Sequence, residues 1–130
     1  MNDRIQKIDI LGTEYTIRFT TEKEDSRLHD CNGCCDFTTK EILIETNIPR
    51  DEHTVGSLDE LIEVTLRHEI IHAFLSESGL WTNCYWAVNE EVVDWIAIQF
   101  PKLSRVFSQV QGKDSLYKDF VELAKDTRGE

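Results

Sequence analysis

The chain has 130 residues, 40% of them hydrophobic and 30% charged, enough for one domain with a core and too few for two. Its 25 acidic residues outweigh 14 basic ones and leave a net charge of −11. Phosphate backbones and anionic lipid repel such a surface, so neither nucleic acid nor a membrane is an expected partner.

The opening residues, Met1 to Lys7, lack the apolar run of a signal peptide, and no stretch reaches membrane-spanning length. The reading is a cytoplasmic protein, in which the four cysteines stay as thiols. Lys7–Ile10 and Glu14–Phe19 alternate polar and apolar residues around a Leu11-Gly12-Thr13 turn, which predicts an antiparallel hairpin. Residues 20–33 are polar and charged and read as a loop. Cys34–Phe37 and Glu41–Glu45, joined at Thr38-Thr39-Lys40, predict a second hairpin. Residues 47–56, with Pro49, read as another loop leading to a helix.

That helix is announced by a capping box, Ser57-Leu58-Asp59-Glu60, and stopped by Gly79. Its first turns keep a polar side at Asp59, Glu60, Glu63 and Arg67, and beyond Arg67 that side becomes Ile70, Ile71 and Phe74. The expectation is a helix that passes from half-exposed to buried. Within it stands His68-Glu69-Ile70-Ile71-His72. A helix advances about 100° per residue, so the two histidines lie ~40° apart on successive turns and can grip one ion. Imidazole nitrogens at roughly 2.0–2.1 Å suit Zn²⁺, and Glu69 is turned aside, able to act as general base on the water such a metal carries. A third ligand has to come from elsewhere.

After a short connection, Leu80–Tyr85, a second helix is expected from about Trp86 to Phe100, ended by Pro101. Its apolar side centres on Val93, Trp86, Ala97 and Phe100. With Glu90 at 0°, Val93 falls at ~300°, Ala97 at ~340° and Asp94 at ~40°, whereas Glu91 falls at ~100°. Glu90 therefore borders the buried face and is the ligand chosen here, giving one Zn²⁺ per chain held by His68, His72 and Glu90. Asp94, one turn on, suits a carboxylate that orients His68 through its other ring nitrogen. Leu103, Val106, Phe107 and Val110, then Leu116, Phe120 and Leu123, follow helical spacing and predict one or two short C-terminal helices over the core.

His68-Glu69-Ile70-Ile71-His72 followed by Asn89-Glu90-Glu91-Val92-Val93-Asp94 resembles the gluzincin arrangement, with Val93 where the thermolysin-like pattern has serine. Chain size and the order of strands before helix are similar to the small cytoplasmic metallopeptidases of the ImmA/IrrE type. Ile10–Tyr15, Cys35-Asp36, Leu66–Phe74 and Val92–Pro101 resemble small uncharacterised proteins of bacteriophages and prophages, a likeness covering residues 8 to about 103. It implies a minimal zincin fold and a phage or prophage setting, and names no substrate.

Two other groups carry donors that a site could use. Cys31-Asn32-Gly33-Cys34-Cys35 holds a C-x-x-C without a second one to pair with; Cys84 stands alone, with His29 near the first. It reads as a turn with incidental thiols. His53, Tyr85 and Arg67 are candidates to stabilise an oxyanion, without motif support.

The sequence thus predicts a single α+β domain over 1–130: a small antiparallel or mixed sheet packed on the H-E-x-x-H helix, a second ligand-bearing helix and short C-terminal helices. The expected activity is zinc-dependent hydrolysis of a peptide bond in a protein or peptide substrate. The alternative is a catalytically silent zincin-fold interaction or inhibitor protein from a phage, acting by binding a host factor. A regulatory peptidase acting on a repressor is a third reading.

Overall fold

A computed structural model of the chain describes residues 4–48 and 56–111. Pro49, His53 and the expected helical stripe of Leu116, Phe120 and Leu123 lie outside the described residues. Four strands, β1 (Arg4–Ile10), β2 (Thr13–Thr20), β3 (Gly33–Asp36) and β4 (Glu41–Glu45), precede two helices, α1 (Leu58–Glu77) and α2 (Glu90–Gln111). The fold is α+β with one mixed sheet in the order β1-β2-β4-β3. Two compact units are distinguished, Met1–Ile98 and Gln99–Glu130. The first carries the sheet, α1 and the opening turns of α2; of the second, the described part is the helical stretch 99–111.

Both expected hairpins form. β1 pairs antiparallel with β2, closing at Ile10↔Thr13, and the turn places Leu11 and Gly12 at positive φ, 52° and 92°. β3 pairs antiparallel with β4, from Gly33↔Ile44 to Asp36↔Glu41. The hairpins are joined by a parallel pairing of β2 with β4, Thr16↔Glu41 to Thr20↔Glu45. That leaves β1 and β3 at the sheet edges.

The connection between β2 and β3 is more ordered than its charge suggests. It contains a 3-10 turn, Ser26–Leu28, which lies against β3 and β4. Leu28 is buried there, as is Leu43 of β4, so one apolar residue in a polar stretch covers that side of the sheet. Arg27, beside it, gathers Asp25, Asp36 and Glu41 at 2.8, 2.9 and 3.0 Å and ties the turn to both strands of the second hairpin.

α1 begins where Ser57 accepts from the Glu60 backbone N–H at 3.3 Å, with Asp59 and Glu60 in the first turn favouring the positive end of the helix dipole. It ends at Ser78, and Gly79 (φ 79°) turns the chain away. The helix is three-sided. With His68 at 0°, Ile62, Leu66, Ile70 and Ala73 fall between ~120° and ~200°; they pack on Ile10, Tyr15, Ile17, Ile42 and Ile44 of the sheet. Ile71 and Leu75, at ~300° and ~340°, meet Ala87 and Val93. The remaining side, from 0° to ~100°, holds Thr65, His68, Glu69, His72 and Ser76 and lines a cavity. The expectation of a helix buried beyond Arg67 is therefore corrected: Phe74, at ~240° in the gap between the two packed sides, is 42% exposed.

The second helix also differs from expectation at both ends. Trp86–Val88 forms a 3-10 turn, and α2 starts at Glu90 after Asn89, whose side chain accepts from the Val92 N–H at 2.9 Å. Trp86 precedes the helix and does not share its phase, and it is half exposed, while Val93 and Ala97 are fully buried as expected. Phe100 is likewise half exposed. Pro101 lies inside α2 and does not stop it. A proline supplies no N–H to the carbonyl four residues back; here that carbonyl, Ala97 O, accepts from Arg67 Nε at 2.7 Å.

Candidate metal centre

The open side of α1, the start of α2 and edge strand β3 enclose a cavity of about 590 Å³. Asn32, Gly33, Cys35 and Phe37 line it on one flank, and Glu90, Asp94 and Ile98 on the other. His68 and His72 project into it from successive turns of α1, with 15% and 13% of their side chains exposed. Their Nε2 atoms stand 3.0 Å apart.

α2 brings two acids to this pair. Glu90 spans it, Oε2 at 3.0 Å from His68 Nε2 and Oε1 at 3.0 Å from His72 Nε2. Asp94 Oδ1 lies 2.7 Å from the other ring nitrogen of His68, Nδ1. A carboxylate there accepts from Nδ1–H, which leaves the Nε2 lone pair of His68 free to face His72 and Glu90. Both predicted positions on the second helix thus meet the histidines predicted on the first.

Two neutral imidazole nitrogens this close must share a proton or a cation, since lone pair against lone pair is repulsive. His68, Glu69 and His72 each offer a ligand atom, all within 4.8 Å of one another, and such a group can hold a metal ion. Glu69 and Glu90 are rival third donors. The shorter distances belong to Glu90, whose two oxygens reach both nitrogens at 3.0 Å. In a tetrahedral site with bonds of about 2.0–2.1 Å, donor atoms stand roughly 3.3 Å apart, so the Glu90 set needs little adjustment.

Glu69 has a different setting. It is buried, 6% exposed, beneath β3. Burial pushes its carboxyl up to about 7; the nearby His68 opposes this and the Glu90 and Asp94 charges add to it. Burial also holds His72 below the ordinary imidazole range, against the pull of Glu90, which favours the neutral ring that metals bind. Glu69 is thus a carboxyl poised to exchange a proton near neutrality, at the side of the imidazole pair and not bridging it.

The oxyanion candidates are not brought to the cavity. Arg67 lies on another side of α1 and donates to Ala97 O, Tyr85 is 96% exposed, and His53 is outside the described residues. The cysteines are all free thiols. Cys34 and Cys35 lie in β3, where burial raises both, Cys35 to about 12, so they stand as neutral thiols. Gly33, Phe37 and Trp81 were not singled out from the sequence, yet all three line the cavity. Only the glycine in the middle of Asn32-Gly33-Cys34 offered a signal, that of close backbone approach in a strand.

No family model matches the chain, and neither a curated protein nor a solved structure matches it.

Proposed function

We propose that the protein is a zinc-dependent peptidase of minimal gluzincin type, with His68, His72 and Glu90 as the protein ligands of one Zn²⁺ and Glu69 as general base. The observation that carries this reading is the seat of Glu90, its two oxygens 3.0 Å from the paired Nε2 atoms while Asp94 holds His68 from behind at 2.7 Å. Three protein donors on the cavity wall leave a coordination position for water or substrate, the pattern of catalytic and not structural zinc.

Bound Zn²⁺ supplies Lewis acidity, polarising a carbonyl and acidifying water. The chain's residues supply the rest. Asp94 fixes the tautomer of His68, and burial keeps His72 neutral. Glu69 takes the proton of the attacking water as its oxygen bonds to the peptide carbon, then delivers a proton to the amine as the C–N bond breaks. Edge strand β3 runs beside these groups, and among the described residues no strand pairs with its outer side, which leaves backbone to meet an extended substrate. The Asn32 carbonyl is taken by Glu45 N–H at 2.9 Å, so by strand alternation Gly33 and Cys35 turn their backbone groups to the open edge.

The test joins metal analysis to one conservative change. Purified full-length protein should take up one zinc per chain, His72→Ala and Glu90→Ala should lose it, and Glu69→Gln should keep zinc but not cleave an unfolded protein substrate. Failure to bind any divalent ion would overturn the reading.

A second reading, a zincin-fold protein acting by binding alone, is favoured by the exposed aromatics Tyr85, Trp86 and Trp95, at 96%, 50% and 57%. A cellular effect undiminished in Glu69→Gln, with no cleavage by the parent chain, would support it.

A further inference from the structure

We propose that Phe37 and Trp81 form a side-chain subsite that takes a bulky apolar residue of an extended peptide, a proposal that rests on reading the cavity as a peptide groove. The two rings touch, centroids 5.3 Å apart and planes tilted by 48°. Both line the cavity that holds His68, Glu69 and His72, and both keep more than a third of their surface open, 39% and 38%.

Neither ring is a core residue that failed to find cover; each is carried on a turn tied down by polar bonds. Phe37 follows Asp36, whose Oδ1 accepts from the Thr38 N–H and hydroxyl and whose Oδ2 accepts from Arg27 at 2.9 Å. Trp81 follows the left-handed Gly79, and its own N–H returns to Leu75 O at 3.2 Å. Asn83 Nδ2 and Thr82 Oγ1 both donate to Gly79 O, at 2.9 and 3.2 Å. Aromatic faces fixed in this way lose little freedom on meeting a ligand, which is how preorganised sites gain affinity.

The position of the pair specifies its occupant. Gly33, at the head of β3, lies against Thr65 and Glu69, while Phe37, just past its end, lies against Trp81 beyond the end of α1. β3 therefore runs alongside α1 in the same sense, and the rings sit about 13 Å along the edge from Gly33, at ~3.3 Å per strand residue. A peptide added to this edge would bring alternate side chains toward α1, one of them to the rings, within a few residues of the histidines. The charged groups lining the cavity are acids and imidazoles; among the described residues no lysine or arginine lines it. Beside the rings an acidic side chain would find no lysine or arginine to pair with, whereas a bulky neutral one gains the buried area.

The test reads binding separately from turnover. Full-length Glu69→Gln protein, with zinc added, is challenged with an immobilised library of blocked random peptides. The retained peptides should share one bulky apolar position, with changing that residue to alanine weakening binding roughly ten- to a hundredfold. Changing it to aspartate should weaken binding further. Phe37→Ala and Trp81→Ala should make the bulky and alanine peptides bind alike while zinc uptake by equilibrium dialysis stays unchanged. Trp81→Phe, the conservative variant, should keep the preference.

Retention without an apolar position, a preference that survives both alanine variants, or no retention at all would each overturn the proposal. Cleavage by the parent chain at sites lacking that preference would refute this subsite and leave the peptidase reading standing. The predicted preference in a protein that cleaves nothing would do the reverse.

Discussion

A Cβ placed on Gly33 would lie 3.0 Å from Cγ of Glu69 and 2.7 Å from Cγ2 of Thr65. The backbone of Gly33 is not in the left-handed region, so the glycine is needed for room and not for conformation. It lets edge strand β3 press on α1 where the proposed base is held. Gly33→Ala should cost roughly 1–3 kcal/mol through overpacking and reduce turnover. Adding Thr65→Ser removes the closest clash while keeping the hydroxyl that bonds Leu61 O. The double variant should therefore regain thermal stability but not turnover, because the crowding of Glu69 persists. Full recovery of both would show that Gly33 serves packing alone.

Asp94 contacts His68 at the nitrogen turned away from His72, with the Oδ1–Nδ1 distance at 2.7 Å. Asp94→Asn keeps shape but can present an N–H where an acceptor is needed, which disfavours the tautomer that leaves Nε2 free. Zinc affinity should fall about 10- to 100-fold, with the thermal midpoint of the metal-free protein little changed. A competition titration against a chromophoric chelator measures this; unchanged affinity would remove Asp94 from the site.

Much of this site was written in spacing. His68 and His72 share a side because of helical pitch, and Glu90 and Asp94 repeat the same interval on the next helix, so spacing alone marks these four positions. The hairpins were legible too, since alternation and the turns at Gly12 and Lys40 are local signals. The parallel union of β2 with β4 was not, because nothing local encodes which hairpin edges meet. Leu28 was hidden by the charged residues around it. Pro101 looks like a stop in the sequence but does not end α2, because its missing N–H is compensated from α1 by Arg67, thirty-four positions earlier in the chain. Phe37 and Trp81 gave no pattern at all: each is a single aromatic residue on a turn, and only tertiary structure brings them together.

Acid sensitivity should centre on the second hairpin. Hydrogen bonds from Thr38 and Arg27 outweigh burial and hold the Asp36 carboxyl at about 2, below its usual 3.8. Asp25 is also lowered, chiefly by its bond to Arg27. A carboxyl whose folded pKa is depressed stabilises the fold above its unfolded value and loses that contribution as pH falls toward the folded one. For Asp36 the loss should run from about pH 4 down to about 2, and be worth at most ~2 kcal/mol. Urea midpoints measured across that window should fall for the parent chain. In Asp36→Asn the midpoint should start lower at neutral pH and decline less steeply; equal slopes would show that other carboxyls govern the acid limb.

Arg67 stands two residues from the proposed base but acts elsewhere. Its Nε gives a 2.7 Å hydrogen bond to Ala97 O, on a residue that is fully buried. Arg67→Ala would leave that carbonyl with neither Arg67 nor a helix N–H from Pro101, a loss of about 1–3 kcal/mol. Thermal unfolding should show the cost, zinc uptake should be retained, and any fall in turnover should track the folded fraction. Arg67→Lys, able to donate but with a shorter and rounder head group, should recover part of the stability. Should Arg67→Ala instead unfold like the parent and lose turnover at full zinc occupancy, the residue would belong to the chemistry as an oxyanion donor.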